Sequence, residues 1–246
     1  MKALILNSGR GERLRPLTKY IPKALVRIGG KPLLGHQIDN LVGCGIRNII
    51  ITTGPFENKI KKYIKNKYAD ISIAYVKNPK YRITNYIYSM WLTKRLIDDD
   101  IILFHGDLFF EKRLLKKLIE EKYANCVLVN RKIKPPKKDF KAVIKNNVVI
   151  KIGIEFSGKN AFFSAPLYKF SNLVFLCWLN EIGKFIEKGG NLKSYAECVL
   201  NEISNKIMLH PVYFAEGICL EIDTEEDLEL ARGYFKKFLT DEKVIK

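Results

Sequence analysis

Short, almost continuously apolar runs rich in β-branched residues alternate with longer amphipathic stretches through the first half of the chain, and few folds accept that order. Residues 2–6, 48–53, 71–76 and 101–104 are apolar at nearly every position instead of every second one. Strands of that kind need cover on both faces, the condition met in a buried, largely parallel sheet. Between them, residues 32–44 set Leu33, Leu34, Ile38, Leu41 and Val42 along one helical face, with Pro32 suited to the first turn and Gly45 to the stop. Residues 57–67 do the same with Ile60, Tyr63 and Ile64 beneath a lysine-rich outer face. The β-α-β-α order predicts an α/β fold, a mainly parallel sheet with helices on both sides.

The second half is less regular. Several strands are expected over 126–169, interrupted by a polar, Pro-Pro-containing excursion at 133–139, then helices over 171–188 and 191–204. Strands over 206–214 and 217–222 precede a last helix over 224–239, where Thr224 and Asp227 have the spacing of a capping box. No linker, repeat or low-complexity tract divides the 246 residues. One domain is expected over 1–246, its later part adding a small lobe over the sheet.

Charge enters the argument here. Lys+Arg number 43 against 26 Asp+Glu, a net +17, which calls for an anionic partner: nucleic acid, anionic lipid or a phosphate-bearing small molecule. Residues 1–31 and 131–151 each carry eight cations and one acid, so the excess is concentrated in two segments, unlike a nucleic-acid footprint. With 47% hydrophobic residues the chain can bury a core, which excludes intrinsic disorder. The longest apolar run, 173–179, is too short to span a bilayer, and the N-terminus breaks before a signal-peptide core could form. Cys44, Cys126, Cys177, Cys198 and Cys219 are scattered, with no C-x-x-C pair. Reduced thiols in a cytoplasmic protein, without membrane insertion, are the expectation.

The first strand runs into Asn7-Ser8-Gly9-Arg10-Gly11-Glu12-Arg13-Leu14-Arg15-Pro16-Leu17-Thr18, with Pro22-Lys23 following. Glycines after a strand let backbone N–H groups approach phosphate oxygens. A dinucleotide fingerprint is excluded because its third glycine falls on Leu14, and a Walker loop because no Gly-Lys-Ser/Thr follows. What remains is a triphosphate cradle with Arg13 and Lys23 as its cations, or, from Gly-x-Gly alone, an ordinary strand-to-helix turn with solvated basic residues.

Read as L-N-S-G-x-G-x-R-L-x-P-L-T-x-x-x-P-K-x-L, residues 6–25 resemble the signature of the nucleotidyltransferases that join a nucleoside triphosphate to a sugar 1-phosphate or a small phosphorylated alcohol. The resemblance implies a Rossmann-like mixed, mainly parallel sheet with a small acceptor-binding lobe: 1–125 mainly binding the nucleotide, 126–214 mainly the acceptor, and 215–246 a returning metal-binding strand and C-terminal helix. It further implies nucleotide contacts from Leu6, Asn7, Ser8, Gly9, Gly11, Arg13 and Lys23, the last two also stabilising the departing pyrophosphate.

Nucleotidyl transfer calls for a divalent cation, and Mg²⁺ takes one or two carboxylates with phosphate oxygens and water. Asp107 sits just beyond an apolar strand, where open α/β sheets bind ligands, and Asp223 follows the strand at 217–222. Both match the family's metal aspartates, a reading favoured over a turn aspartate for Asp107 and a helix cap for Asp223. An acceptor phosphate or phosphonate is already anionic and attacks without a general base, so His36, His105 and His210 are read as structural.

The segment Asn78 to Ser89, with Thr52-Thr53-Gly54-Pro55-Phe56, is similar to the CTP-using branch of phosphocholine and 2-aminoethylphosphonate cytidylyltransferases. In that branch Gly54, Asn78 and Ser89 lie near base and ribose, and Asn85 near the acceptor. Lys137-Lys138-Asp139-Phe140-Lys141 resembles a phosphonate-enzyme segment, which implies acceptor contacts from Lys138 and Lys141. A choline cage calls for aromatics, available in Phe140, Phe162, Phe163 and Tyr168, whereas a primary ammonium calls for a carboxylate, for which Glu197 is favoured over Glu202. The favoured expectation is transfer of CMP from CTP to 2-aminoethylphosphonate, with phosphocholine next. A sugar-1-phosphate nucleotidylyltransferase is the alternative, and a non-catalytic nucleic-acid-binding protein the remote one; a homodimer is possible.

Overall fold

In the computed structural model, which describes residues 1–244 and side chains through residue 236, the chain begins with β1 (Lys2–Asn7), followed by a long loop and the short strands β2 (Arg27–Ile28) and β3 (Lys31–Pro32). Next come α1 (Leu33–Gly43), β4 (Asn48–Thr53), α2 (Glu57–Lys67), β5 (Ser72–Lys77), α3 (Tyr86–Leu92), β6 (Ile101–His105), β7 (Leu108–Phe110) and α4 (Lys112–Glu120). The second half supplies β8 (Cys126–Asn130), β9 (Lys141–Lys145), β10 (Val148–Gly153), β11 (Ala161–Phe170), α5 (Asn172–Glu187), α6 (Glu197–Glu202), β12 (His210–Phe214), β13 (Cys219–Glu221) and α7 (Glu225–Val244).

The main sheet runs β5-β4-β1-β6-β11-β8-β12, parallel except for β11. Successive side chains of β1 point to opposite faces, Ala3 and Ile5 to one core and Leu4 and Leu6 to the other. Leu34, Ile38 and Leu41 of α1, Ile60 and Ile64 of α2, and Leu114, Leu115 and Leu118 of α4 fill the first side. Ile87 and Met90 of α3, Phe175, Trp178 and Leu179 of α5, and Val199 and Leu200 of α6 fill the second. Burial on both sides is why the early strands carry no polar alternation.

β11 joins the two halves. Its last residues, Leu167 to Phe170, pair with β6, and its first, Ala161 to Phe163, pair along the same edge with β9. The β9–β10 hairpin therefore sits beyond the end of β6, over the exits of the parallel strands. Asn146 and Asn147, both at positive φ (50° and 59°), form its two-residue turn, the geometry that matches strand twist. Pro166, which has no N–H to donate, lies where the register of β11 against β8 shifts.

Three expectations about elements change. The strand at 217–222 shortens to β13 and pairs antiparallel with β7 in a separate ribbon, because the main sheet already ends at β12. The helix at 191–204 shrinks to α6. α4 has no counterpart in the expected pattern, although Leu114, Leu115 and Leu118 give it a helical apolar face. A third cluster, Leu14, Val26, Ile28, Leu33, Phe109, Ile222, Leu228 and Ala231, packs the N-terminal loop against this ribbon and α7.

Candidate active site

β1, β6 and β13 deliver their last residues to one place. The backbone is pinned there: Gly106 N donates to Leu6 O (2.9 Å) and Ile222 N to Asp107 O (2.9 Å). At its centre the Lys23 ammonium donates to Asp107 Oδ2 (2.7 Å) and Asp223 Oδ1 (2.6 Å), and Arg13 Nη2 lies 2.9 Å from the same Asp223 oxygen. Burial alone would lower the Lys23 pKa, but the two carboxylates outweigh it and hold the ammonium above its ordinary value. Asp107 is the converse case: burial pushes its carboxyl up, and Lys23 and His105 bring it below the usual range. The structure thus assembles Arg13, Lys23, Asp107 and Asp223, which are up to 210 residues apart in sequence.

Four buried side-chain atoms around this point lack a partner among the described residues: Asn7 Nδ2, Ser8 Oγ, His105 Nε2 and Asp107 Oδ1. Leaving a buried polar atom unpaired costs about 1–3 kcal/mol each, so a group of them at one strand end marks a place built for a polar ligand. The loop around them is close-fitting. Gly11 takes a left-handed φ of 63°, and its carbonyl accepts a hydrogen bond from Thr18 Oγ1. At Gly54 a Cβ would stand 2.3 Å from the Ser8 carbonyl oxygen, so only glycine lets the β4–α2 turn approach the cradle. Leu6 and Ser8 are buried, and Gly9 has open space beside it.

Asn78 and Ser89, both buried, bond to each other: Asn78 Nδ2 donates to Ser89 Oγ (2.9 Å) and Thr84 Oγ1 (3.0 Å), while Asn78 Oδ1 accepts from Lys80 N. Together they set the course of the loop leading into α3. Asn85 caps α3 by accepting from Tyr86 N, and its Nδ2 donates to Lys193 O (3.2 Å), which ties the α3 entrance to the loop before α6.

The acceptor side differs in detail from expectation. Lys138 Nζ is held by both carboxylate oxygens of Asp227 (2.7 and 2.6 Å). Lys141 is buried, with its ammonium on the carbonyls of Lys137 (2.8 Å) and Ile154 (2.9 Å). Both ammoniums are therefore engaged within the protein, Lys138 tying its loop to α7 and Lys141 holding loop carbonyls. Of the four aromatics expected together, Phe163 faces the opposite core, whereas Phe162 and Tyr168 pack in the same cluster as Phe140, with Phe162 also lying under Arg131.

A different ring of aromatics is present. Tyr86, His105, Phe140 and Tyr195 form a closed circuit, with successive centroid separations of 4.5, 6.0, 5.2 and 5.9 Å back to Tyr86. Behind it Glu197, 1% exposed, accepts hydrogen bonds from the hydroxyls of Tyr86 and Tyr168, the latter at 3.0 Å. On the other side His105 Nδ1 lies 3.1 Å from Glu221 Oε1. Burial would depress His105, yet Glu221, Asp107 and Glu197 raise it to about 9, while burial pushes the Glu221 carboxyl up against the pull of His105.

His105, Tyr86, Tyr195 and Glu221 were not singled out from sequence for this site. A signal existed for two of them: His105 and Glu221 stand two residues before Asp107 and Asp223, and residues i and i+2 of an extended chain share a face. One ligand atom from each of His105, Asp107 and Glu221 falls within 4.8 Å of the others, but an imidazolium raised to about 9 offers no lone pair, so any cation here would rest on the carboxylates. The oxygen-rich part, Asp107 and Asp223, fits Mg²⁺, with the Lys23 ammonium now lying between them.

A strand-end aspartate pair beneath a glycine-rich loop with two fixed cations defines a nucleotide-transferring enzyme, and the family comparison agrees: the chain belongs to the nucleotidyl transferase family, whose model matches residues 2–147. Among its relatives are the CMP-5'-(3-aminopropyl)phosphonate synthase of Streptomyces rubellomurinus, 30% identical over 55% of this chain and 22% of that protein, and the choline-phosphate cytidylyltransferase of Streptococcus pneumoniae, 37% identical over 50% of this chain and 52% of that protein. The chain spans about a fifth to a half of the length of the curated relatives it matches first. Among solved structures, the CTP:phosphocholine cytidylyltransferase from Streptococcus pneumoniae superposes with a TM-score of 0.80 over 95% of this chain and 98% of its own, at 24% identity. That agreement is one of fold, a mixed, mainly parallel sheet with helices.

Proposed function

We propose that the chain transfers CMP from CTP to a small phosphonate or phosphorylated amino alcohol, 2-aminoethylphosphonate first and phosphocholine second, and releases pyrophosphate. The observation that carries this reading is the pairing of two sites at one strand end: the Arg13–Lys23–Asp107–Asp223 cluster and, across His105, the aromatic ring backed by Glu197. Aromatic faces and a carboxylate attract an ammonium headgroup, and the cluster accommodates phosphates. The relatives acting on choline phosphate and aminopropylphosphonate support the same choice.

In this reading an acceptor phosphorus oxygen attacks the α-phosphorus of CTP, the bond from α-phosphorus to the bridging oxygen breaks, and pyrophosphate leaves with that electron pair. No proton transfer is required. Arg13 and Lys23 take up the negative charge of the leaving group. Asn7 Nδ2 and Ser8 Oγ, which have no partner among the described residues, donate to the nucleotide, and Gly54 keeps the β4–α2 turn close enough to cover it. Glu197 and the ring orient the acceptor so that its phosphorus end faces Asp107. Asp107 and Asp223 would hold Mg²⁺, which when bound neutralises charge building on the α-phosphate.

Pyrophosphate release, measured with each NTP against 2-aminoethylphosphonate, phosphocholine, phosphoethanolamine and sugar 1-phosphates, tests the proposal. Turnover with CTP and an amino-alcohol or aminophosphonate acceptor supports it. Turnover restricted to sugar 1-phosphates assigns the chain to the sugar branch of the family instead.

A further inference from the structure

The exits of β1, β5 and β8 share an unexplained feature. Residues 8–22, 78–85 and 131–140 leave the sheet at the same end and together carry eleven Lys and Arg against two acids, Glu12 and Asp139; of the eleven, Arg13 and Lys138 are paired with Asp223 and Asp227 from elsewhere in the chain. Each also exposes large apolar side chains among its cations. Leu17 and Tyr20 are 43% and 66% exposed beside Arg15 and Lys19; Ile83 is 62% exposed beside Lys80 and Arg82; Ile133 is 45% exposed beside Arg131, Lys132 and Lys134. From β5 to β8 is five strand spacings, roughly 24 Å, with β1 between them, so these apolar tips surround the mouth of the cleft instead of forming one patch.

Substrate binding accounts for Arg13 and Lys23 but leaves an exposed isoleucine at two separate rims without a role. A phosphodiester chain would use the cations and would gain from stacking aromatics, yet three of the four tips are aliphatic. An anionic bilayer uses both halves of the pattern: lipid phosphates meet the lysines and arginines, and the aliphatic tips enter the headgroup boundary. We propose that this rim is a peripheral docking surface for an anionic lipid bilayer. It requires no membrane-crossing helix, and no helix among the described residues is long and apolar enough for one. Docking is a property of the rim alone and does not depend on which acceptor the cleft takes.

Co-sedimentation with vesicles of phosphatidylcholine, with and without phosphatidylglycerol, tests this. The intact chain should bind the phosphatidylglycerol vesicles and not the neutral ones. The triple variant Tyr20→Ser, Ile83→Ser, Ile133→Ser, whose replaced residues touch no part of the proposed catalytic cluster, should bind about tenfold more weakly with all cations retained. Thermal melting of the variant checks that its fold is intact. Three results would overturn the proposal: no binding to phosphatidylglycerol vesicles at moderate salt, binding that the triple variant leaves unchanged, or tight retention on DNA with none on vesicles. The second would reduce the effect to diffuse charge adsorption.

Discussion

At the residue scale the site rests on a few buried charges that neutralise one another. Asp107 has one oxygen on Lys23 and one buried without a partner among the described residues, so it is both fixed and available. Asp107→Ala should reduce pyrophosphate release at least about 10³-fold, as expected when a charge-stabilising group at the reacting centre is removed, with unchanged circular dichroism. Retained activity would refute its role. Glu197 belongs, on the proposed reading, to the acceptor side. Glu197→Gln keeps the shape and the acceptor oxygen for Tyr168 but removes the charge, and the KM for an ammonium-bearing acceptor should rise roughly 10- to 100-fold while the KM for CTP stays level. A matching rise for CTP would assign Glu197 a purely structural part.

At the scale of elements, the packing of α1, β7 and α7 determines where the cluster sits. His36 of α1 lies edge-on to Phe109 of β7 and Phe235 of α7, both at 5.3 Å, and its Nε2 contacts Ile28 O at 2.8 Å. Burial holds its pKa below the ordinary 6.5, so the unfolded chain takes up this proton at a higher pH than the folded one. The His36 contribution is therefore full above pH 6.5 and declines as pH falls through that value toward the folded pKa. The melting-temperature advantage of wild type over His36→Gln should shrink between pH 7 and pH 5; a constant or growing gap would contradict the burial argument. The same elements show what the sequence made legible. The apolar runs of β1, β4, β5 and β6 announce themselves because both faces are buried, and Leu6 to Leu25 is dense with glycine, proline and charge. The acceptor side is harder to read because its residues come from α3, β6, β9 and the entrance to α6. Strand alternation sends Phe163 one way and Phe140 the other, and no local pattern reports that Lys138 and Lys141 find partners within the protein.

For the whole molecule, charge is distributed by segment. Residues 1–31 and 131–151 hold most of the excess, and both border the cleft, which faces solvent with a positive rim. Such a field draws polyanions inward over roughly a Debye length, about 10 Å at 0.1 M salt. The kcat/KM for CTP should fall with added salt more steeply than kcat, measured from low to high ionic strength; equal slopes would mean the rim plays no part in capture. Lys23 has a further consequence at this scale. By resting between Asp107 and Asp223, its ammonium keeps the two carboxylates from facing each other as bare charges. On the proposed reading Asp107 and Asp223 would hold Mg²⁺ in its place, and the Lys23 ammonium, no longer needed to neutralise them, would be available to phosphate oxygens.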